Sequence, residues 1–209
     1  MTLTPTQQAA IAATVERMQL ASGLGDIHNA CSIAAINLAI SGELTDKIPG
    51  CMSEVVGRWI IAIQDQMPDE MRNSPEWKRL LPLAAGTGRD HEPQRLAMIM
   101  DWVWASLELV QPTADANGFG SEWAAMCRER SATAADMAAT TAAPAYATTA
   151  TAAAAYAASA TYATTHAARA TYATHAAICA ANAAAASNWH AINPPALLEK
   201  LINVSAGFA

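Results

Sequence analysis

Several groups of residues in this chain have the types and spacing that chemistry requires. The loop Gly86-Thr87-Gly88-Arg89 leads into a helix start near Glu92, with Arg95 one turn further on. Glycines, a hydroxyl, two guanidinium groups and free helix N–H groups are the ingredients of a phosphate or carboxylate site. Trp102 and Trp104 follow on the same stretch and would supply stacking, which makes a nucleotide a candidate ligand. The spacing of a P-loop is missing, so no established nucleotide motif is matched. His28 and Cys31 lie three apart, the least that a nucleophile and its base require on a helix. No third, orienting group is identifiable, and core packing is the simpler role for both. His166 and His175 are nine apart and fall on opposite helix faces, which excludes joint metal binding within one helix.

Further charged residues read as structural. Arg58, Asp65 and Arg72 recur every seven positions, but Pro68 interrupts the helix they would share, so ion pairing between neighbouring helices is expected of them. Asp101 is the expected partner of a buried arginine.

The elements that must position these groups are helical, because no stretch alternates apolar and polar residues. Thr4-Pro5-Thr6-Gln7 is a capping box with proline at N1, opening a helix that Gly23 and Gly25 end. Asp26 is placed to cap a second helix running to about Ile40, apolar on most sides and therefore central, with Gly42 as its stop. Met52, Val55, Val56, Trp59, Ile60 and Ile63 mark a third helix. Ser74-Pro75-Glu76 opens a short helix that Pro82 and the following loop close. A long helix runs from Glu92 to about Val110, and another begins near Ser121 after the turn Asn117-Gly118-Phe119-Gly120.

From Ala142 to Ala186 more than half of the residues are alanine, and between Asp136 and Glu199 the only formal charge is Arg169. Alanine has the best helix propensity, so this run predicts a helix. If continuous from Ala145 to Ser187 it would be about 65 Å long; otherwise it folds into a hairpin. Its large residues, Tyr146, Tyr156, Tyr162, His166, Arg169, Tyr172 and His175, spread around the helix and are expected to set register against a partner helix or subunit. A helix so poor in charge needs a packing partner. Thr140, Thr151 and Tyr162 are eleven apart, and the tyrosine breaks the threonine register that an ice-binding helix would use. Asn193-Pro194-Pro195 and the leucines after it form a turn and a short helix able to dock back.

The fold expected is therefore all-α: an N-terminal helical bundle at 1–130, then at 131–209 a long Ala/Thr-rich helix or helical hairpin with a short C-terminal helix. Over 209 residues the net charge is −6 with no Lys/Arg cluster, which argues against nucleic-acid binding. Cys31, Cys51, Cys127 and Cys179 form no CxxC pair, so neither zinc nor a disulfide framework is signalled, and free buried thiols in a reducing compartment are expected. Met1 to Gln8 contains no signal-like pattern, and alanine and threonine are too weakly apolar for a membrane span. The location expected is cytoplasmic, with no membrane partner and no cofactor.

The stretch from Cys31 to Cys127 resembles a group of functionally uncharacterised proteins of bacteria and their phages. The likeness is carried by Gly42-Glu43, Thr45-Asp46, Pro49, Cys51, Asp65-Gln66-Met67-Pro68-Asp69, Leu80-Leu81-Pro82-Leu83 and Gly86-Thr87-Gly88. It continues through Glu92, Arg95, Asp101-Trp102, Gly118-Phe119-Gly120, Trp123 and Met126-Cys127. Similar proteins follow this region with an alanine-rich segment and a short Leu-rich helix. Here Thr, Tyr and His stand where those proteins place Asp and Arg. The resemblance implies a mobile-element or host–phage setting and brings no activity with it.

The function expected is a non-catalytic helical binding or assembly protein, forming a homo-oligomer through Tyr156, Tyr162, His166, Arg169, Tyr172 and His175. The alternatives are a binder of a small anionic ligand such as a signalling nucleotide, through Thr87, Arg89, Arg95, Trp102 and Trp104, or an enzyme whose active site the sequence does not reveal. A protein partner is compatible with the first.

Overall fold

The computed structural model describes residues 3–142, 148–184 and 188–206. Pro144 and Tyr146 lie outside the described residues. Among those described, the chain is all-α, with no strand and one isolated bridge, Gly25 to Ala30. In chain order the helices are α1 (Pro5–Arg17), α2 (Ser32–Ser41), α3 (Glu54–Gln64), α4 (Asp69–Arg72), α5 (Pro75–Ala85), α6 (Glu92–Glu108) and α7 (Gln111–Ala116). There follow α8 (Gly120–Glu129), α9 (Ala132–Ala142), α10 (Thr148–Tyr162), α11 (His166–Ala183), α12 (Trp189–Ile192) and α13 (Pro194–Ile202), ending in a 3-10 turn.

The chain forms two compact units, residues 1–95 with 194–209, and residues 96–193. Composition had suggested a division at residue 130. Packing divides it elsewhere, because α8 packs on α9, while α13 packs on α5 and α3.

In the first unit, local signals set most boundaries. Thr4 and Gln7 make the reciprocal capping box, and Gly42 ends α2 at a φ of 75° that favours glycine. Three boundaries differ from expectation. The first helix ends at Arg17, not at Gly23, and α2 begins at Ser32 because Asp26 accepts hydrogen bonds from the backbone N–H groups of His28 and Asn29, closing a turn instead of capping a helix. These two bonds hold the Asp26 carboxyl below its usual range. Pro82 lies inside α5, which runs on to Ala85.

Large side chains fill this core. Trp59 and Trp77 are fully buried with ring centroids 6.0 Å apart. The Trp77 indole donates to the Ser32 hydroxyl, and the Ser32 N–H donates to the Gln64 side chain, so these buried polar atoms of Trp77, Ser32 and Gln64 are paired. Arg72 is buried and donates to the carbonyls of Leu20, Gln64 and Met67, with Asp69 as its ion-pair partner. Arg58 pairs with Glu54, and Asp65 accepts from the Gly23 N–H. The seven-residue spacing of these three charges therefore marks separate roles.

In the second unit, Leu107, Phe119 and Trp123 are buried, with Phe119 against Trp123 at 6.0 Å. The alanine segment is a hairpin here. Thr165, in extended conformation, caps α11 by accepting the Ala168 N–H, and this turns the chain between α10 and α11. Helix α10 packs on both α9 and α11. Its buried residues, Ala150, Ala153, Ala154, Ala157, Ala158 and Ala160, leave room for backbones to approach closely. Several threonine hydroxyls are satisfied within their own helix: that of fully buried Thr174 donates to the Ala170 carbonyl, and those of Thr140, Thr141 and Thr171 likewise donate one turn back, whereas the buried Thr151 hydroxyl makes no hydrogen bond among the described residues. Thr140 and Thr151 belong to different helices, which removes the register an ice-binding helix needs.

Candidate functional site

The loop at Gly86–Arg89 is shaped by its own hydrogen bonds. The backbone N–H groups of Gly86, Thr87 and Gly88 donate to the carbonyls of Leu83, Ala84 and Cys51. Gly88 has a φ of 60°, which suits glycine. The Thr87 hydroxyl donates to the Ala84 carbonyl and accepts the Ser53 N–H. Arg89 pairs with Glu54 at 2.9 Å. Arg95, only 1% exposed, donates to the carbonyls of Thr87, Gly88 and Leu201 at 2.8, 3.1 and 3.1 Å. Burial pushes its pKa down, and the nearby Glu92 and Asp90 carboxylates oppose that shift.

An anion is already present in this corner. The Glu92 carboxylate accepts the backbone N–H groups of Glu54 and Val55 and the Ser53 hydroxyl, so it sits at the N-terminus of α3. That is where a bound phosphate gains most from a helix dipole. The anion-site expectation at Thr87, Arg89 and Arg95 required free donors; the chain engages them internally with its own carbonyls and carboxylates. The two tryptophans named with them are accounted for in the second unit, where Trp104 is buried and the Trp102 indole donates to the Ile192 carbonyl.

His28 lies in an exposed loop, whereas Cys31 is the buried N-cap of α2, so they share no helix. Burial raises the pKa of all four thiols above the usual value, with Cys127 reaching about 12. A protonated buried thiol is a poor nucleophile. Asp101 pairs with Arg130 at 3.2 Å, with side chains 76% and 45% exposed, so the arginine it meets is at the surface. Among the described residues no group of three His, Cys, Asp or Glu side chains is placed to hold a metal. Among them, too, no helix is long and apolar enough to cross a membrane.

The hairpin separates the six residues expected at an assembly interface. Tyr156 on α10 and His175 on α11 stack with ring centroids 5.2 Å apart. Tyr172 lies one turn before His175 on the same face and is 40% exposed. These three form one patch. Tyr162 is six residues past Tyr156, a rotation that carries it to another side of α10, where its hydroxyl donates to Asp136 of α9 at 3.3 Å. Arg169 donates to the Ala160 carbonyl in the last turn of α10, a favourable place for a cation. His166 is exposed at the first position of α11.

Sequence spacing did not reveal the Glu92 cap, the carbonyl clasp on Arg95 or the Tyr156–His175 stack. Each depends on at least one partner from a distant element, and no local pattern marks them. Comparisons with protein-family models, with curated proteins and with solved structures find no match.

Proposed function

We propose that the chain is a non-catalytic helical binding or assembly protein that self-associates through the Tyr156–Tyr172–His175 face of its alanine-rich hairpin. The observation that carries this reading is the chemistry of that face. It exposes two tyrosines beside a half-buried histidine on a hairpin whose one formal charge, Arg169, is turned to the Ala160 carbonyl. Tyrosine gives large contact area with a polar tip at little entropic cost, and interface centres are depleted of charge. Elsewhere a net charge of −6 opposes contact between copies. A second copy meets no such opposition at this face.

A cytoplasmic and mobile-element setting belongs to the same proposal. The free thiols support a reducing compartment, and the resemblance at Cys31–Cys127 supports the setting.

The test is mass in solution by light scattering. The full chain is expected to be oligomeric at micromolar concentration, and Tyr172→Glu monomeric with unchanged helicity. A monomeric wild type under those conditions removes the proposal.

A further inference from the structure

The other side of α10 carries a separate feature. Thr133, Asp136, Met137, Thr140 and Thr141 of α9, with Tyr162 at the end of α10, line an open hollow of about 410 Å³. We infer that this hollow is a binding site for a primary alkylammonium group, held by the Asp136 carboxylate beside the Tyr162 ring.

Apart from the Thr133 hydroxyl, which can donate or accept, the polar groups facing it are acceptors. Oδ2 of Asp136 accepts the Tyr162 hydroxyl, whose proton is thereby engaged and whose lone pairs remain. Among the described residues, Oδ1 accepts no hydrogen bond and no Lys or Arg lies within ion-pair distance of Asp136. The hydroxyls of Thr140 and Thr141 donate to the carbonyls of Asp136 and Met137, so they also present lone pairs. An anion finds a single hydroxyl donor there, at Thr133, opposed by the Asp136 carboxylate, whereas an ammonium group supplies the N–H donors that the remaining acceptors lack.

The apolar side of the hollow suits the rest of that ligand. Tyr162 is 64% and Met137 59% exposed, offering an aromatic face and a polarizable thioether to an alkyl chain and its charge. Tyr162 is the last residue of α10, so the negative end of that helix reaches the rim; Arg169, bonded to the Ala160 carbonyl, offsets part of it. The volume fits a small organic cation. An open site of this kind implies millimolar affinity. It does not depend on self-association, because the Tyr156–Tyr172–His175 face is elsewhere on the hairpin.

The probe is n-butylammonium chloride, titrated into the full chain carrying carbon-13 methionine methyls, with sodium chloride at equal ionic strength as control. The Met137 methyl, assigned from Met137→Leu, is expected to shift saturably with n-butylammonium alone. Asp136→Asn should weaken binding about tenfold or more, as loss of a charged partner does, with the other methionine signals unchanged as evidence of folding. Tetramethylammonium, which has no N–H donor, should bind more weakly. No saturable shift, equal shifts with sodium chloride, full affinity in Asp136→Asn, or tetramethylammonium binding as well as n-butylammonium would each overturn the inference.

Discussion

The first unit and the α9–α11 helices solve the packing problem in opposite ways. In the first unit, large side chains such as Trp59, Trp77, Leu81 and Ile60 are inside, together with two arginines held by backbone carbonyls. In α9–α11 the buried residues are alanines apart from Thr174 and Ile178, and the large residues Met137, Tyr156, Tyr162 and Tyr172 are outside. Size is inverted between surface and core. The physical cause is separation: helices joined by alanine approach closely, and a large side chain between them has no room. Large apolar groups are thus left on the surface, where two of them join the proposed assembly face and two line the proposed cation site.

The largest expected effect breaks the polar half of this contrast. Arg95→Met leaves the carbonyls of Thr87, Gly88 and Leu201 without their donor, and should cost about 3 kcal/mol or more in urea unfolding. A loss below about 1 kcal/mol would mean that water or a neighbour replaces the guanidinium.

A pair of core substitutions sharpens the contrast in size. Leu81→Ala in the first unit should cost about 2–5 kcal/mol through the cavity it leaves. Ala157→Leu in α10 should cost about 1–3 kcal/mol for the opposite reason, because there is no space for it. If Ala157→Leu were neutral, the alanine interface would be looser than its complete burial indicates. Thr165→Ala removes the cap that turns the hairpin and should cost about 1 kcal/mol, measurable by thermal unfolding.

The smallest effect near neutral pH concerns the thiols. With its pKa raised from 9.0 to about 12, Cys127 is protonated in the folded chain where the unfolded chain has begun to ionise. The unfolded state therefore binds fewer protons in that window, and stability falls as pH rises from 9.0 towards about 12, with no contribution below it. At pH 8 a disulfide reagent should label Cys127 slowly in the native protein and rapidly in denaturant. Equal rates would show that the site opens readily.

Much of the fold was legible locally. Thr4, Ser74 and Gly42 act through neighbours in the chain, so their residue types alone announce the boundaries. The hairpin turn carried a signal of the same kind, Thr165 ahead of an alanine run, but other threonines in that run resemble it and only one becomes a cap. The candidate site residues were less legible. Gly86–Arg95 has the composition of an anion site, yet Glu92, thirty-eight residues from Glu54, fills the helix N-terminus that a ligand would use. Composition records which groups are present and not which of them already have partners.

By itself, then, the sequence determined the helical class, several helix ends in the first unit and the poverty of charge in the alanine segment, because propensity, capping and net charge are properties of residues and their near neighbours. Only the tertiary structure decided where the chain divides, that the alanine segment doubles back, which donors are engaged and which tyrosines share a face. Those depend on pairings between residues far apart in the chain, where close packing and hydrogen-bond partnership select among arrangements that local preference leaves equal.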